Sequence, residues 1–209
     1  MKQAMDKFIS SIKCNKKLVW FLIIIGIISI VFGSIFTVML NESDKALTLS
    51  YINNFMSNIS NNNLDYTLAL KNGFVNQFSF FLIVWLLGMS VIGIPIILFM
   101  YFSKIFILGF SLSAIITNYG FKGCLIGLAY IFPHQIINII LYTILTIFAL
   151  KIAGKILYCI LKKDKIDFKV LLNNYIYILT INLVVVSLTV LFEVYITPKF
   201  ISIFLSLIK

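Results

Sequence analysis

The only histidine of the chain, His134, follows Pro133 in a long apolar run, and Asn138 comes four residues later. Residues four apart share one helical face, so the two side chains can meet. An ionisable residue within a membrane is a candidate proton carrier. A relay needs further titratable groups, however, and the first four predicted spans contain no Asp or Glu. A neutral imidazole that bonds Asn138, or a carbonyl freed by Pro133, would fix helix packing. The pattern therefore favours a structural role for this pair.

A second arrangement, Gly109-Phe110-Ser111-Leu112, is similar to the Gly-x-Ser of intramembrane serine proteases. Nucleophilic catalysis would require a base beside Ser111, and His134 is the sole candidate. Small residues in a membrane helix more often allow two backbones to approach closely. Three pairs with this four-residue spacing predict close helix contacts, within the chain more readily than between copies: Ser29/Gly33, Gly109/Ser113 and Gly123/Gly127. Contact between two copies of the chain through these small residues is the alternative.

Other catalytic inventories are missing from the sequence. It has no Gly-rich phosphate loop, no metal-ligand cluster and no paired carboxylates. The three cysteines, Cys14, Cys124 and Cys159, form no CxxC pair and fit small apolar positions. We therefore assign no catalytic, metal-binding or cofactor-binding residue and predict a protein that is not an enzyme.

The composition of the chain predicts which kind of structure holds these residues. Of 209 residues, 61% are apolar and 11% are charged, whereas soluble domains average about 45–50% apolar and about 25% charged. Such a chain is a polytopic membrane protein of the all-α class, a transmembrane helical bundle. All 17 basic residues are lysine. They flank apolar runs, and no Arg is present to read bases, so we expect anionic lipid and not nucleic acid as their partner.

Charge-free runs divide the chain as a single membrane domain. Residues 1–17 form a basic head, 41–72 an Asn-rich polar segment, 151–169 a basic loop and 194–209 an interfacial tail. Between them we predict five spans, each long enough to cross the hydrocarbon core, at residues 18–40, 73–103, 105–121, 123–150 and 170–192. The second run is longer than one crossing needs, which predicts a break at Gly93-Ile94-Pro95.

The polar segment 41–72 has its own pattern. Four apolar residues recur at helical spacing and predict a short amphipathic helix: Ile52, Phe55, Met56 and Ile59. Asp65 is placed to cap a following helix that continues into the second span.

The distribution of lysines predicts the orientation. With the N-terminus in the cytoplasm, twelve lysines lie inside, namely five in the head, Lys104 and six in 151–169, and five lie outside. The reverse orientation would oppose the positive-inside bias. We therefore expect a cytoplasmic N-terminus, an external C-terminus and an external 41–72 segment.

A longer motif begins at Trp85 and reads W-L-L-G-M-S-V-I-G-I-P up to Pro95, followed by Gly109-Phe110 and by Tyr119-Gly120-Phe121-Lys122-Gly123. With the basic head and five spans, this pattern resembles the stage II sporulation protein M (SpoIIM) family of endospore-forming bacteria. The positions that carry the resemblance, or that we single out as structural, are Trp85, Gly88, Ser90, Gly93, Pro95, Gly109, Gly123, Gly127, Pro133, His134 and Asn138. In the wider family an acidic residue follows the Pro-His pair at the position of Asn138, and this departure suits a packing role.

The resemblance implies a scaffold in the mother-cell membrane that holds two peptidoglycan hydrolases, SpoIIP and SpoIID, during engulfment at the sporulation septum. The external segment offers a surface for them, with Ile52, Phe55, Met56 and Ile59 as candidate contacts. A transporter or channel is the alternative, because Pro95 and Pro133 interrupt two spans.

Overall fold

The computed structural model describes residues 16–61, 63–131, 134–162 and 168–208, and it is helical throughout these ranges apart from short connections. The predicted all-α class is therefore confirmed, and the described ranges contain no strand. These described ranges contain seven helices, in chain order: α1 Lys16–Met39, α2 Glu42–Ser60, α3 Tyr66–Gly88, α4 Gly93–Ile131, α5 His134–Lys162, α6 Phe168–Tyr195 and α7 Thr197–Ile208.

Within the described part of the chain, five segments are long and apolar enough to cross a membrane, as predicted. Their bounds differ from the predicted ones, because lysines that were expected to end a span, such as Lys104 and Lys122, lie inside a helix. The segments are Lys16–Met39, Tyr66–Gly88, Gly93–Leu128, His134–Lys162 and Leu171–Ile203. The predicted run 73–103 is thus shared by α3 and α4, and Lys104 lies inside a helix. Most of the basic head and the centre of the 151–169 loop fall outside the described residues.

The break predicted near Pro95 separates two helices. α3 ends at Gly88 and α4 begins at Gly93, so Pro95 occupies the first turn of α4. Proline is tolerated there because first-turn amides have no partner within their own helix. The predicted cap of α3 is also confirmed, since Asp65 Oδ1 accepts a hydrogen bond from the Leu68 amide at 3.0 Å.

α4 reverses direction at Gly120, whose φ of +59° is a left-handed value that favours glycine. Beyond it, Gly123 lies against the backbone of Ile115 and Gly127 against the side chain of Leu112. The order of these contacts shows that residues 121–131 fold back antiparallel to the preceding segment. α5 begins at His134, and Pro133 lies outside the described residues.

α5 is the central helix of the bundle. In an apolar 18-residue stretch of α5, 61% of the residues are buried, against 22% in the corresponding stretches of α1 and α3. The main core joins α5 to α3, α4 and α6 through side chains such as Phe81, Tyr101, Leu145 and Tyr175. α5 continues to Lys162, so the first part of the predicted basic loop is helical.

A smaller core lies at the end of the bundle where α2 sits, hereafter the α2 end. Met56 and Ile59 of α2 meet Ile115, Ile126 and Ile201 there. Ile201 belongs to α7, so the predicted interfacial tail is a short helix that packs against the chain itself.

Candidate functional site

The connection between α3 and α4 is built around two glycines. A Cβ on Gly88 would lie 2.2 Å from the Tyr175 hydroxyl and 2.9 Å from the Ala149 backbone. A Cβ on Gly93 would lie 2.0 Å from the carbonyl oxygen of Leu87. The chain therefore turns back against α5 and α6 in a space that only glycine fits. The Gly93 amide donates to the carbonyl of Ser90 at 3.2 Å, which closes the turn.

Trp85 fastens this connection to α6. Its indole ring stacks on Tyr175 with centroids 5.5 Å apart. The Tyr175 hydroxyl donates to the Trp85 carbonyl at 3.0 Å. Since this carbonyl lies in the last turn of α3, the bond satisfies a group that the end of the helix leaves free.

His134 and Asn138 are both fully buried, and each meets a residue near the C-terminus of the chain. The His134 Nδ1 lies 3.2 Å from the Thr197 hydroxyl, and its ring stacks on Phe192. The Thr189 hydroxyl donates to Asn138 Oδ1 at 2.7 Å. The predicted pair thus shares a helical face, and that face joins α5 to α6 and α7. This geometry supports the packing role.

Lys104 and Glu193 lie inside helices of the apolar segments, although the sequence placed them at span boundaries. Lys104 Nζ donates to Asn76 Oδ1 of α3 at 2.9 Å and lies 5.3 Å from the Phe80 ring centroid. Glu193 of α6 interacts electrostatically with Lys104. This group of residues was not predictable from the sequence, because partners so distant along the chain leave no local pattern.

The small residues bring helices into backbone contact. A Cβ on Gly33 would lie 2.3 Å from the Phe106 carbonyl oxygen, and one on Gly109 would lie 2.6 Å from that of Ile30. Polar side chains cross the same contact, since Thr37 donates to the Phe110 carbonyl at 3.2 Å. The spacing therefore serves packing between α1 and α4 of one chain. Gly123 and Gly127 do the same within the reversal of α4.

α2 forms the predicted amphipathic helix, although its apolar residues divide between two surfaces. Met56 and Ile59 are buried against the bundle, and Ile52 packs beside them half-buried. Phe55 remains 41% exposed. Of the four residues predicted to contact partners, Met56 and Ile59 thus contribute to the packing of the chain itself.

Comparison with known families matches residues 17–198 to the model of stage II sporulation protein M. The chain belongs to the SpoIIM family. No curated protein and no solved structure matches it. It is therefore a sporulation-related membrane protein.

The motif that carried the SpoIIM resemblance maps onto the tightly packed connection between α3 and α4. Trp85, Gly88 and Gly93 each make contacts that a different side chain would lose or obstruct, and Pro95 starts α4. Ser90 contributes its backbone carbonyl, while its side chain is exposed. In this member of the family the motif shapes the membrane bundle.

The SpoIIM family is not a known enzyme family. Among the residues that the structure describes, no three His, Cys, Asp or Glu side chains come together as metal ligands would. The imidazole of His134 is directed to Thr197, a packing contact. These contacts hold the helices in register and place α2 at one end of the bundle.

Proposed function

We propose that this SpoIIM-family protein is a non-enzymatic membrane scaffold of the engulfment machinery. It recruits the peptidoglycan hydrolases SpoIIP and SpoIID to the mother-cell membrane at the septum and around the engulfed cell. Three findings support the proposal: the family, the five apolar segments, and a bundle in which the buried His134 and Asn138 contact Thr197 and Thr189 of neighbouring helices.

The orientation in this proposal has a cytoplasmic N-terminus, as the lysine distribution predicts. Lys16 and Lys17 at the start of α1 and the lysines of α5 then face the anionic leaflet. The α2 end faces the space where the wall is remodelled. In that orientation α2 is the extramembrane helix nearest to the hydrolases.

The observation that carries the proposal is a row of exposed apolar side chains on α2, at Leu47, Tyr51 and Phe55. Their exposed fractions are 57%, 69% and 41%. The residues are four apart, so they form one continuous face. Met56 and Ile59, near the end of α2, pack the helix against the bundle. α2 therefore exposes an apolar row while its other contacts hold it against the bundle. Exposed apolar helix faces of this kind are typical of sites that bind another protein.

The test is recovery of the hydrolases with the tagged full-length protein from sporulating cells. The variant Leu47→Asp/Tyr51→Asp is compared with Ala46→Asp, an exposed position on a different face of the same helix. A buried apolar side chain contributes about 1.5–3 kcal/mol, so the double variant should lower recovery by about tenfold or more. Ala46→Asp should leave recovery unchanged. Equal recovery from both variants, at equal membrane levels, would refute docking through this row.

Transport is a second candidate function, and the interrupted helices favour it. α4 reverses at Gly120, and α5 begins at the buried His134. Lys104 and Glu193 add charges within the bundle. Broken helices and intramembrane charges accompany substrate sites in many transporters. Purified protein in liposomes separates the two functions: the scaffold predicts no solute or ion flux above that of empty liposomes, and clear flux would favour a transporter.

A further inference from the structure

One face of α3 carries polar side chains at a depth where the exposed side chains of α1 are apolar. Along this face α3 exposes Leu68, Asn72, Val75, Asn76 and Ser79 in its first half, and Leu82, Ile83 and Leu86 in its second. These positions follow a spacing of three and four residues, so they lie along one stripe. We call the three polar residues, Asn72, Asn76 and Ser79, the α3 polar stripe.

The depth of this stripe follows from contacts between α1 and α4. Tyr101 bonds the carbonyl of Leu22, and Phe106 lies against Gly33. Lys104 is therefore level with residues 23–32 of α1, and its ammonium group reaches Asn76. The exposed side chains of α1 at this level are all apolar: Ile23, Ile24, Ile27, Ile28, Ile30, Val31 and Phe32. The polar stripe thus extends into the hydrocarbon region.

The hydrocarbon region of the membrane is an unfavourable environment for these polar side chains. An amide or hydroxyl without a partner in hydrocarbon costs several kcal/mol. Lysine can extend its long side chain toward water, but Asn and Ser are too short to do so. The stripe therefore needs either protein or water beside it.

We propose that the α3 polar stripe is a dimer interface between two copies of this chain. The two copies would be related by a twofold axis along the membrane normal. Both copies then have the same orientation, so each residue of α3 meets its own counterpart at the same depth. Amide faces amide at Asn72 and Asn76, and hydroxyl faces hydroxyl at Ser79.

The chemistry of the stripe fits this symmetry. Asn and Ser both donate and accept hydrogen bonds, so identical side chains can bond each other across the axis. Farther along α3, Leu82, Ile83 and Leu86 would continue the contact as apolar packing. Lys104 does not oppose the pairing, because its charge interacts with Asn76 and Glu193 of its own chain. Lys71 lies nearer the start of α3, where its side chain can reach water.

The first experiment is cysteine cross-linking in native membranes, with the full chain and its three cysteines replaced by alanine. Ser79→Cys tests the stripe. Val31→Cys, 49% exposed on α1 at similar depth, is the control. We expect an oxidant to convert most of the Ser79→Cys protein to a species of twice the protomer mass of 23.9 kDa, and little of the control. Equal cross-linking of both variants, or trapping of Ser79→Cys on a protein of different mass, would overturn the proposal.

The second experiment measures mass in nanodiscs, by light scattering of the purified protein. The wild-type chain should be a dimer, and Asn72→Leu/Asn76→Leu should be a monomer with unchanged helical content. Thr180→Val removes an exposed hydroxyl from α6 and should remain dimeric. A monomeric wild-type chain, or a folded dimer of the double Asn variant, contradicts the proposed interface. This test is independent of the hydrolases.

Discussion

Replacing Gly33 by alanine places a methyl group against the backbone of α4. The new Cβ would lie 2.3 Å from the Phe106 carbonyl oxygen and 2.8 Å from the Phe110 amide nitrogen. Ordinary contact begins at 3.4 Å. Because both opposing atoms belong to a helix backbone, no side chain can rotate away. α1 and α4 must therefore move apart by about 1 Å over this turn.

The cost has three parts. Overpacking of this kind costs about 1–3 kcal/mol. The separation also lengthens the hydrogen bonds from Thr37 to Phe110 and from Ser113 to Ser34, now 3.2 and 3.3 Å, each contributing about 0.6 kcal/mol. Alanine offsets about 1 kcal/mol of this, because it favours the helix more than glycine does. The net loss in the free energy of unfolding is about 1–3 kcal/mol.

Unfolding in mixed micelles with increasing SDS, followed by circular dichroism, measures this loss. Gly154→Ala is the matched control, because a Cβ there meets no atom within 4 Å, so stability should stay the same or rise by up to about 1 kcal/mol. If Gly33→Ala and Gly154→Ala gave the same stability, the close packing of α1 on α4 would be refuted.

Three further changes test other parts of the bundle. Asp65→Ala removes the cap of α3 and should cost about 1 kcal/mol; unchanged amide exchange in the first turn of α3 would contradict this. Thr189→Val leaves Asn138 Oδ1 without its donor and should cost about 1–3 kcal/mol in the same SDS assay; wild-type stability would contradict the bond. Lys104→Met removes the positive charge that interacts with Glu193, so it should destabilise the protein more than the double variant Lys104→Met/Glu193→Gln does. If the loss of stability in the double variant equalled the sum of the losses in the two single variants, the two charges would not be coupled.

The number of spans and the break before Pro95 were predictable because they depend on local properties. Long apolar runs must cross the membrane as helices, and proline must begin a helix or break one. Asp65 was likewise recognisable as a cap from its position before an apolar run. The close approach of Gly33 and Gly109 followed from the spacing of small residues, although the sequence alone did not pair them.

The intramembrane charges were not predictable in this way. A lysine normally ends a span, so Lys104 was expected at a boundary. It lies within α4, where Asn76 of α3 accepts its hydrogen bond and Glu193 of α6 interacts with it electrostatically. The burial of Met56 and Ile59 also depends on a distant partner, Ile201 of α7. Such pairings are fixed by the assembled bundle and leave no signal in a local pattern.

Purification of the tagged wild-type protein in detergent from sporulating cells, with its partners identified by mass spectrometry, tests the scaffold most directly. We expect both a peptidoglycan amidase and a lytic transglycosylase to accompany the intact protein, and neither to be recovered from cells lacking the tag. Recovery of the intact, membrane-inserted protein without either hydrolase would contradict the proposed scaffold.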